Sequence, residues 1–300
     1  MIEVPEQFVR IKSANEGERG RAWVSALPGL VDVLLERWSC TPTGPVMHGR
    51  VGIVVPVRRP DRTPAVVKVS FPHPGNVHDP DAYATWAGNG AARLFARDDD
   101  NFAMLLERAS QRTLATVTDH EQALTIQGRL SRRLAVPAPP GLPRLSGQID
   151  RWEHEIITTA AAFGNPVPRE VLDATVATLR ELGPDQPDIL VHADLHDANI
   201  LASDREPWLA IDPKTWVGDP AHDALNVIRS PRFTEVFRSS NMRPTVLRYL
   251  DIYCDAAELD TERARRWTQV GAVREAMWGR RHGEPGWLIH ATDQLAQILT

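Results

Sequence analysis

The chain has 300 residues, 42% of them hydrophobic, and a formal net charge of −5 at pH 7. That size and balance suit one large core or two modest ones and exclude fibrous and disordered classes. Its two cysteines, Cys40 and Cys254, are far apart and outside any metal-ligand spacing, which argues against a disulfide framework or a structural zinc site.

The N-terminus, "MIEVPEQFVR", has neither a basic n-region nor an apolar h-region. No apolar run reaches the roughly eighteen residues a membrane span needs, so a cytoplasmic protein with no membrane partner is expected. Residues 1–108 carry 13 acidic and 13 basic side chains, so the whole negative excess lies in residues 109–300. A negative surface there is unsuited to nucleic acid and would attract a cationic partner. Only Lys12, Lys68 and Lys214 are lysines among 34 basic residues, so each lysine is a feature to explain.

In chain order, residues 52–71, "GIVVPVRRPDRTPAVVKVSF", read as a β-hairpin: two runs rich in β-branched residues around a Pro/Asp/Arg/Thr turn, with Lys68 on the second strand. Gly44, Gly49 and Gly52 precede it but do not form G-x-G-x-x-G. Residues 80–100 have helical character interrupted by Gly88 and Gly90, with Pro80, Asp79 and Asp81 as a start signal. "NFAMLLERAS" supplies a strand, "HEQALTIQGRLSRRL" a helix, and "AVPAPPGLP" a rigid connector. Strands early and helices late predict an α+β chain with a small β-rich lobe over residues 1–108 and a larger, mainly helical lobe over 109–300.

The stretch "DILVHADLHDANILASDREPWLAIDPKTWVGDPAHDAL" places short apolar strands around "HADLHDANIL", with Asp212 at the end of the last strand. The spacing His192-x-Asp194-x-x-x-x-Asn199 followed by Asp212 supplies a base, a neutral amide and a second carboxylate. Phosphoryl transfer from ATP needs that set. One carboxylate takes the proton of the attacking hydroxyl, an Asn and an Asp hold Mg2+, and a lysine such as Lys68 places the α- and β-phosphates. A different class, a His/Asp metal-dependent hydrolase, would take His192, Asp194, His196 and Asp212 as metal ligands, but leaves Lys68 and Asn199 without roles.

The loop "HADLHDANIL" with "LAIDPKTWVGDPAHD" resembles the aminoglycoside phosphotransferases, relatives of the protein kinases. "GERGRAWVSALPGLV", "VVPVRRPDRTPAVVKV", "MLLERA", "VPAPPGL" and "EPWLAIDP" resemble the streptomycin 6-kinases within the aminoglycoside/hydroxyurea antibiotic resistance kinase family. The resemblance implies a bilobal protein-kinase-like fold, with Asp194 as catalytic base, Asn199 and Asp212 as Mg2+ ligands and Lys68 as the ATP-phosphate lysine. It puts His196 near the transferred phosphate in place of a kinase catalytic-loop lysine. The backbone of Glu107 to Ala109 becomes the adenine hinge, and His192 a brace for the loop.

Where the family carries a lysine-pairing Glu, this chain offers Asp79 or Asp81, and Ala193 stands where glycine or tryptophan is common. The implied acceptor is a small cationic antibiotic, streptomycin at its 6-hydroxyl, with hydroxyurea as the alternative, and the expected state is a monomer. Acids such as Asp251, Asp255, Glu258, Asp260, Glu262, Glu275 and Glu284 could wall a cationic sugar, with Trp278 and Trp287 stacking on it. Periodicity better supports a plain amphipathic helix in "DTERARRWTQVGAVREAMW", with Trp267 and Trp278 in the core.

Overall fold

The structure, a computed structural model, describes residues 2–230, 233–237 and 241–300, and the chain forms two compact units, Met1–Ser110 and Gln111–Thr300. The first unit opens against expectation. In place of early strands it begins with a long helix, α1 (Glu6–Arg37), bent where Gly17 takes φ 59°. Phe8, Val24, Leu27, Val31 and Leu34 form its buried stripe, a helical spacing that an eye on β-branched residues passes over.

Strands β1 (Thr41–Pro42), β2 (Met47–His48), β3 (Gly52–Arg58) and β4 (Pro64–Ser70) follow, then helix α2 (Asp79–Trp86) and strands β5 (Leu94–Asp98) and β6 (Ala103–Glu107). They form an antiparallel sheet ordered β1-β3-β4-β6-β5, with β2 also on β3. The expected hairpin is β3–β4, in which Val54 faces Lys68 and Arg58 faces Pro64. Its turn is closed by Asp61, whose Oδ1 accepts from the Thr63 N–H at 3.0 Å and hydroxyl at 2.6 Å. The predicted helix over 80–100 is shorter than expected: Ala87, Gly88 and Gly90 take positive φ and end it, and residues 94–98 pair with β6 instead.

The sheet has two different faces. Ile53, Val55, Val57, Ala65, Val67, Val69 and Leu105 pack with α1 in one apolar cluster. On β4 burial alternates, so Val66 and Lys68 project to the other face beside Leu106 and Met104, their partners on β6.

The second unit is mainly helical. Helix α3 (His120–Leu134) spans the predicted segment and is capped by Asp119, whose carboxylate accepts from the Gln122 N–H at 3.1 Å. After β7 (Val136–Pro137), α4 (Ile149–Ala162) and α5 (Arg169–Leu182) come β8 (Ile189–Val191), β9 (Ile200–Ala202), β10 (Trp208–Ala210) and β11 (Trp216–Val217). The strands make a β7-β8-β11 sheet and a β9–β10 hairpin. Helices α6 (Leu225–Ile228), α7 (Phe233–Phe237), α8 (Met242–Ala257), α9 (Thr261–His282) and α10 (Gly286–Ile298) complete the unit around Trp152, Leu179, Leu225, Val246, Tyr253, Trp267, Val273 and Leu295. Trp267 is a core residue as expected, but Trp278 is 45% exposed and stacks on His282, one turn along α9, with ring centroids 4.2 Å apart. No described helix is long and apolar enough to cross a membrane.

Gly128 on α3 is a test of this packing. A methyl group there would stand 2.6 Å from the Tyr253 carbonyl oxygen and 2.8 Å from Ala256 Cβ on α8. Helix propensity alone favours Ala over Gly by about 1 kcal/mol. The backbone contact opposes it, and Gly128→Ala should lower stability by about 1–3 kcal/mol in denaturant titration.

Candidate active site

Strand β8 ends at Val191 and releases a loop whose backbone is tied on both sides. The His192 and Ala193 N–H groups donate to the two oxygens of one carboxylate, Asp223, at 3.2 and 2.9 Å. Burial pushes the Asp223 pKa up to about 7 against the lowering effect of those two donors. His192 is fully buried: its Nδ1 accepts from the Asp194 N–H at 3.3 Å and its Nε2 meets the Ile211 carbonyl at 3.0 Å, so the proton sits on Nε2. Desolvation lowers its pKa to about 3, which keeps the ring neutral. With both nitrogens engaged in the loop, His192 braces and does not ligate. Among the described residues no group of three or more His, Cys, Asp or Glu side chains is placed to hold a metal ion. The hydrolase alternative therefore loses its ligand set; an Asn/Asp pair is a different donor set and is untouched by that finding.

Three non-glycine residues around this loop take left-handed backbone: Ala193 (φ 62°), Asp212 (φ 60°) and Thr215 (φ 53°). Such conformations cost about 1 kcal/mol each or more and persist where surroundings enforce them, commonly at functional sites.

Asp194 is anchored through its carbonyl, which accepts from the His196 N–H and from Asn199 Nδ2, both at 2.9 Å. Since the Asn199 side-chain nitrogen is committed to that carbonyl, its Oδ1, which meets no described donor, is left for a ligand. The Ile211 N–H donates to the Asn199 carbonyl at 2.9 Å, continuing the β9–β10 pairing, so Asn199 lies opposite Ile211 and Asp212 follows one residue on, at the open end of the hairpin. An amide oxygen and a carboxylate are hard donors that suit Mg2+. His196 Nδ1 is buried with no hydrogen-bond partner among the described residues. Asp197 instead accepts from the Ser230 hydroxyl at 2.6 Å, and the Lys214 N–H holds the His192 carbonyl at 2.8 Å.

Arg229, just past α6, has no counterpart in the sequence reading, because a lone arginine outside any motif carries no signal. It reaches Asp194 Oδ1 at 3.2 Å and Glu275 Oε1 on α9 at 2.5 Å. The proposed acidic wall is otherwise dispersed. Asp260 caps α9, Glu258 and Glu262 pair with Arg132 and Arg265, and Asp251 and Asp255 are exposed.

In the first unit, Lys68 Nζ lies 3.5 Å from Asp79 Oδ2, and Asp79 is 1% exposed. Asp81 turns to His78 and Arg97 instead, at 2.9 and 2.8 Å, so Asp79 is the lysine's partner. Glu107 ends β6, its N–H donating to the Arg93 carbonyl at 2.8 Å and its Oε2 accepting from the Arg93 N–H at 3.1 Å. The backbone of Ala109 hydrogen-bonds to no described residue. The predicted site residues therefore fall into two groups: Asp194, His196, Asn199 and Asp212 around one loop of the second unit, and Lys68, Asp79, Glu107 and Ala109 on the sheet of the first.

A profile of the aminoglycoside/hydroxyurea antibiotic resistance kinases matches residues 37–283. The chain belongs to that family. A streptomycin 6-kinase of Streptomyces glaucescens is 36% identical over 301 residues, covering 100% of this chain and 97% of its own. A hydroxyurea phosphotransferase of Kitasatospora aureofaciens is 35% identical over 288 residues, 95% of this chain and 82% of its own. Among solved structures, a choline kinase from Streptococcus pneumoniae superposes with a TM-score of 0.55 at 14% identity, over 90% of this chain and 99% of that one. This kinase accordingly has the α+β protein-kinase-like fold and is a phosphotransferase acting on a hydroxyl group.

Beneath the loop, His222 is stacked on Trp152 (centroids 5.8 Å apart) and edge-on to Trp267. Burial first, then Arg274 and Arg229, lowers its pKa to about 3. The unfolded chain takes up this proton near pH 6.5, the folded kinase only near 3, so stability falls as pH drops between those values, by up to about 5 kcal/mol at this site. His222→Phe keeps the stack and removes the titration. Circular dichroism should place its acid-unfolding midpoint at lower pH than that of the unaltered protein.

Proposed function

We propose that this kinase is an ATP- and Mg2+-dependent O-phosphotransferase that inactivates a small cationic antibiotic, streptomycin at its 6-hydroxyl. The observation that carries the reading is the end-to-end 36% identity with the Streptomyces glaucescens streptomycin 6-kinase. The comparable identity to a hydroxyurea phosphotransferase makes hydroxyurea the second reading.

In this mechanism Asp194 accepts the proton of the acceptor hydroxyl as that oxygen attacks the γ-phosphorus of ATP, and ADP leaves. The buried, braced loop supports the role because the carboxylate's backbone is held before substrate arrives, and positioning is the larger part of phosphoryl-transfer catalysis. His196 is assigned to the transferred phosphoryl group on the family resemblance, and its side chain is half-buried in the loop. Asn199 and Asp212 would hold the magnesium ion, which when bound neutralises charge on the phosphate oxygens. Lys68, paired with Asp79, takes the α- and β-phosphates. Glu107 and Ala109 offer backbone groups to adenine, beside the apolar strip of Val66, Met104 and Leu106 on the Lys68 face of the sheet. A dianionic phosphate placed on a cationic antibiotic would oppose its binding to anionic RNA, which accounts for resistance.

The deciding experiment is ADP release with ATP and Mg2+ against streptomycin, hydroxyurea, kanamycin and no acceptor. Streptomycin-dependent turnover is expected; turnover with hydroxyurea alone would replace the acceptor, and failure to bind ATP would overturn the reading. Asp194→Ala should cut turnover by about 10²–10⁴-fold while leaving ATP affinity near that of the unaltered kinase. In calorimetry, Asp212→Ala should abolish the Mg2+-dependent part of ATP binding; unchanged binding would remove Asp212 from its assigned role.

A further inference from the structure

Asp194 is held at its backbone by the loop, but among the described residues its carboxylate has one contact, Arg229 Nη1 at 3.2 Å from Oδ1. The other terminal nitrogen of the same guanidinium donates to Glu275 at 2.5 Å. A carboxylate on two rotatable bonds has several staggered positions open to it, and only one can face the incoming hydroxyl. We propose that Arg229, anchored by Glu275, is a positioning residue that fixes the Asp194 carboxylate with Oδ2 left open as the proton acceptor; this rests on the reading of Asp194 as the base.

The chemistry of the pair favours that role. A guanidinium is planar and rigid, so seating one end on Glu275 determines where the other end stands, which a lysine's single ammonium cannot do. The Glu275 bond is the shorter by 0.7 Å, as the two distances give, so Glu275 is the main counterion. Arg229 then serves Asp194 as a geometric stop more than as a partner that competes for its lone pairs. Glu275 in turn sits on the 22-residue helix α9, whose buried residues, Trp267, Val270, Val273 and Met277 among them, are part of the core. The base is thereby referenced to a long helix packed into the core. Glu275, one of the acids the sequence offered as a wall for a cationic sugar, acquires a different task, since its carboxylate already holds a cation of the protein's own.

The test is a kcat-against-KM comparison of Arg229→Met, Arg229→Lys, Glu275→Gln and the double variant Arg229→Met/Glu275→Gln, with nucleotide binding measured by fluorescence titration. Arg229→Met should lower kcat about 10- to 100-fold, the loss expected of a reacting group displaced by about an ångström, with KM for ATP changed less than twofold. Arg229→Lys should recover little of that. Glu275→Gln should lower kcat less, and the double variant should be no slower than Arg229→Met, because the two act as one unit. Unchanged kcat in Arg229→Met, a loss confined to acceptor KM, or additive losses in the double variant would overturn the inference. If Arg229→Met does not fold, the Glu275→Gln result decides alone: unchanged kcat refutes the anchor. Asp194→Asn separates this inference from the reading beneath it, for turnover by that variant removes Asp194 as base whatever Arg229 does.

Discussion

The geometry of the candidate site depends on one buried carboxylate that accepts two consecutive backbone N–H groups. Asp223 takes the His192 and Ala193 donors on separate oxygens, and no neutral side chain could receive both in that way. The arrangement fixes the chain direction as it leaves β8 and forces Ala193 into left-handed backbone. Everything after it follows from that turn: Asp194 faces out of the core, its carbonyl is available to Asn199, and Asn199 is left with an oxygen to offer. Burying the carboxylate costs more than the two N–H bonds return, which is why its pKa rises. A protein carries such a group where the conformation it enforces is needed.

His192 extends the same constraint to a second strand. By donating from Nε2 to the Ile211 carbonyl it ties the start of the Asp194 loop to the residue before Asp212. The loop that carries Asp194 and the strand that leads to Asp212 thus share one neutral, fully buried ring, and a small displacement of either is transmitted to the other.

Much of this was legible in sequence, for identifiable reasons. The β3–β4 hairpin announced itself by β-branched runs around a Pro/Asp/Arg/Thr turn, and α3 by the helical run of residues 120–134. The loop from His192 to Asn199 was readable because its residue types are costly to bury and so rarely gather without purpose. What was missed depended on partners distant along the chain. The stripe of α1 is spread over 32 residues with a bend at Gly17, and no local spacing declares it. The helix expected through residue 100 stops at Trp86, where Ala87, Gly88 and Gly90 take positive φ, and it does not resume because β6 offers a strand partner to residues 94–98, a tertiary effect that propensity does not contain. Asp79 and Asp81 were indistinguishable as partners for Lys68 until Arg97 and His78 claimed Asp81. Arg229 meets Asp194 across 35 residues and Glu275 across 46.

The same distances explain why an acidic second half does not amount to a cation-binding wall. Net charge is a property of composition, whereas recognition depends on which carboxylates lack a local partner. Here arginines supply those partners: Arg132 for Glu258, Arg180 for Glu153, Arg248 for Glu121, Arg263 for Asp219 and Arg229 for Glu275. Most of these pairs are exposed and worth little to stability, about 0–1 kcal/mol each. Their effect is to neutralise the surface pairwise with forks whose geometry is fixed. Lys12 is buried against Glu16 and the Phe71 ring, a structural position. Lys68 is different: its ammonium ends a flexible stem on the face of the sheet opposite α1, and its counterion is a short, almost fully buried Asp. For the phosphate role proposed for it, a compact, rotatable cation serves better than a fork already committed to one plane.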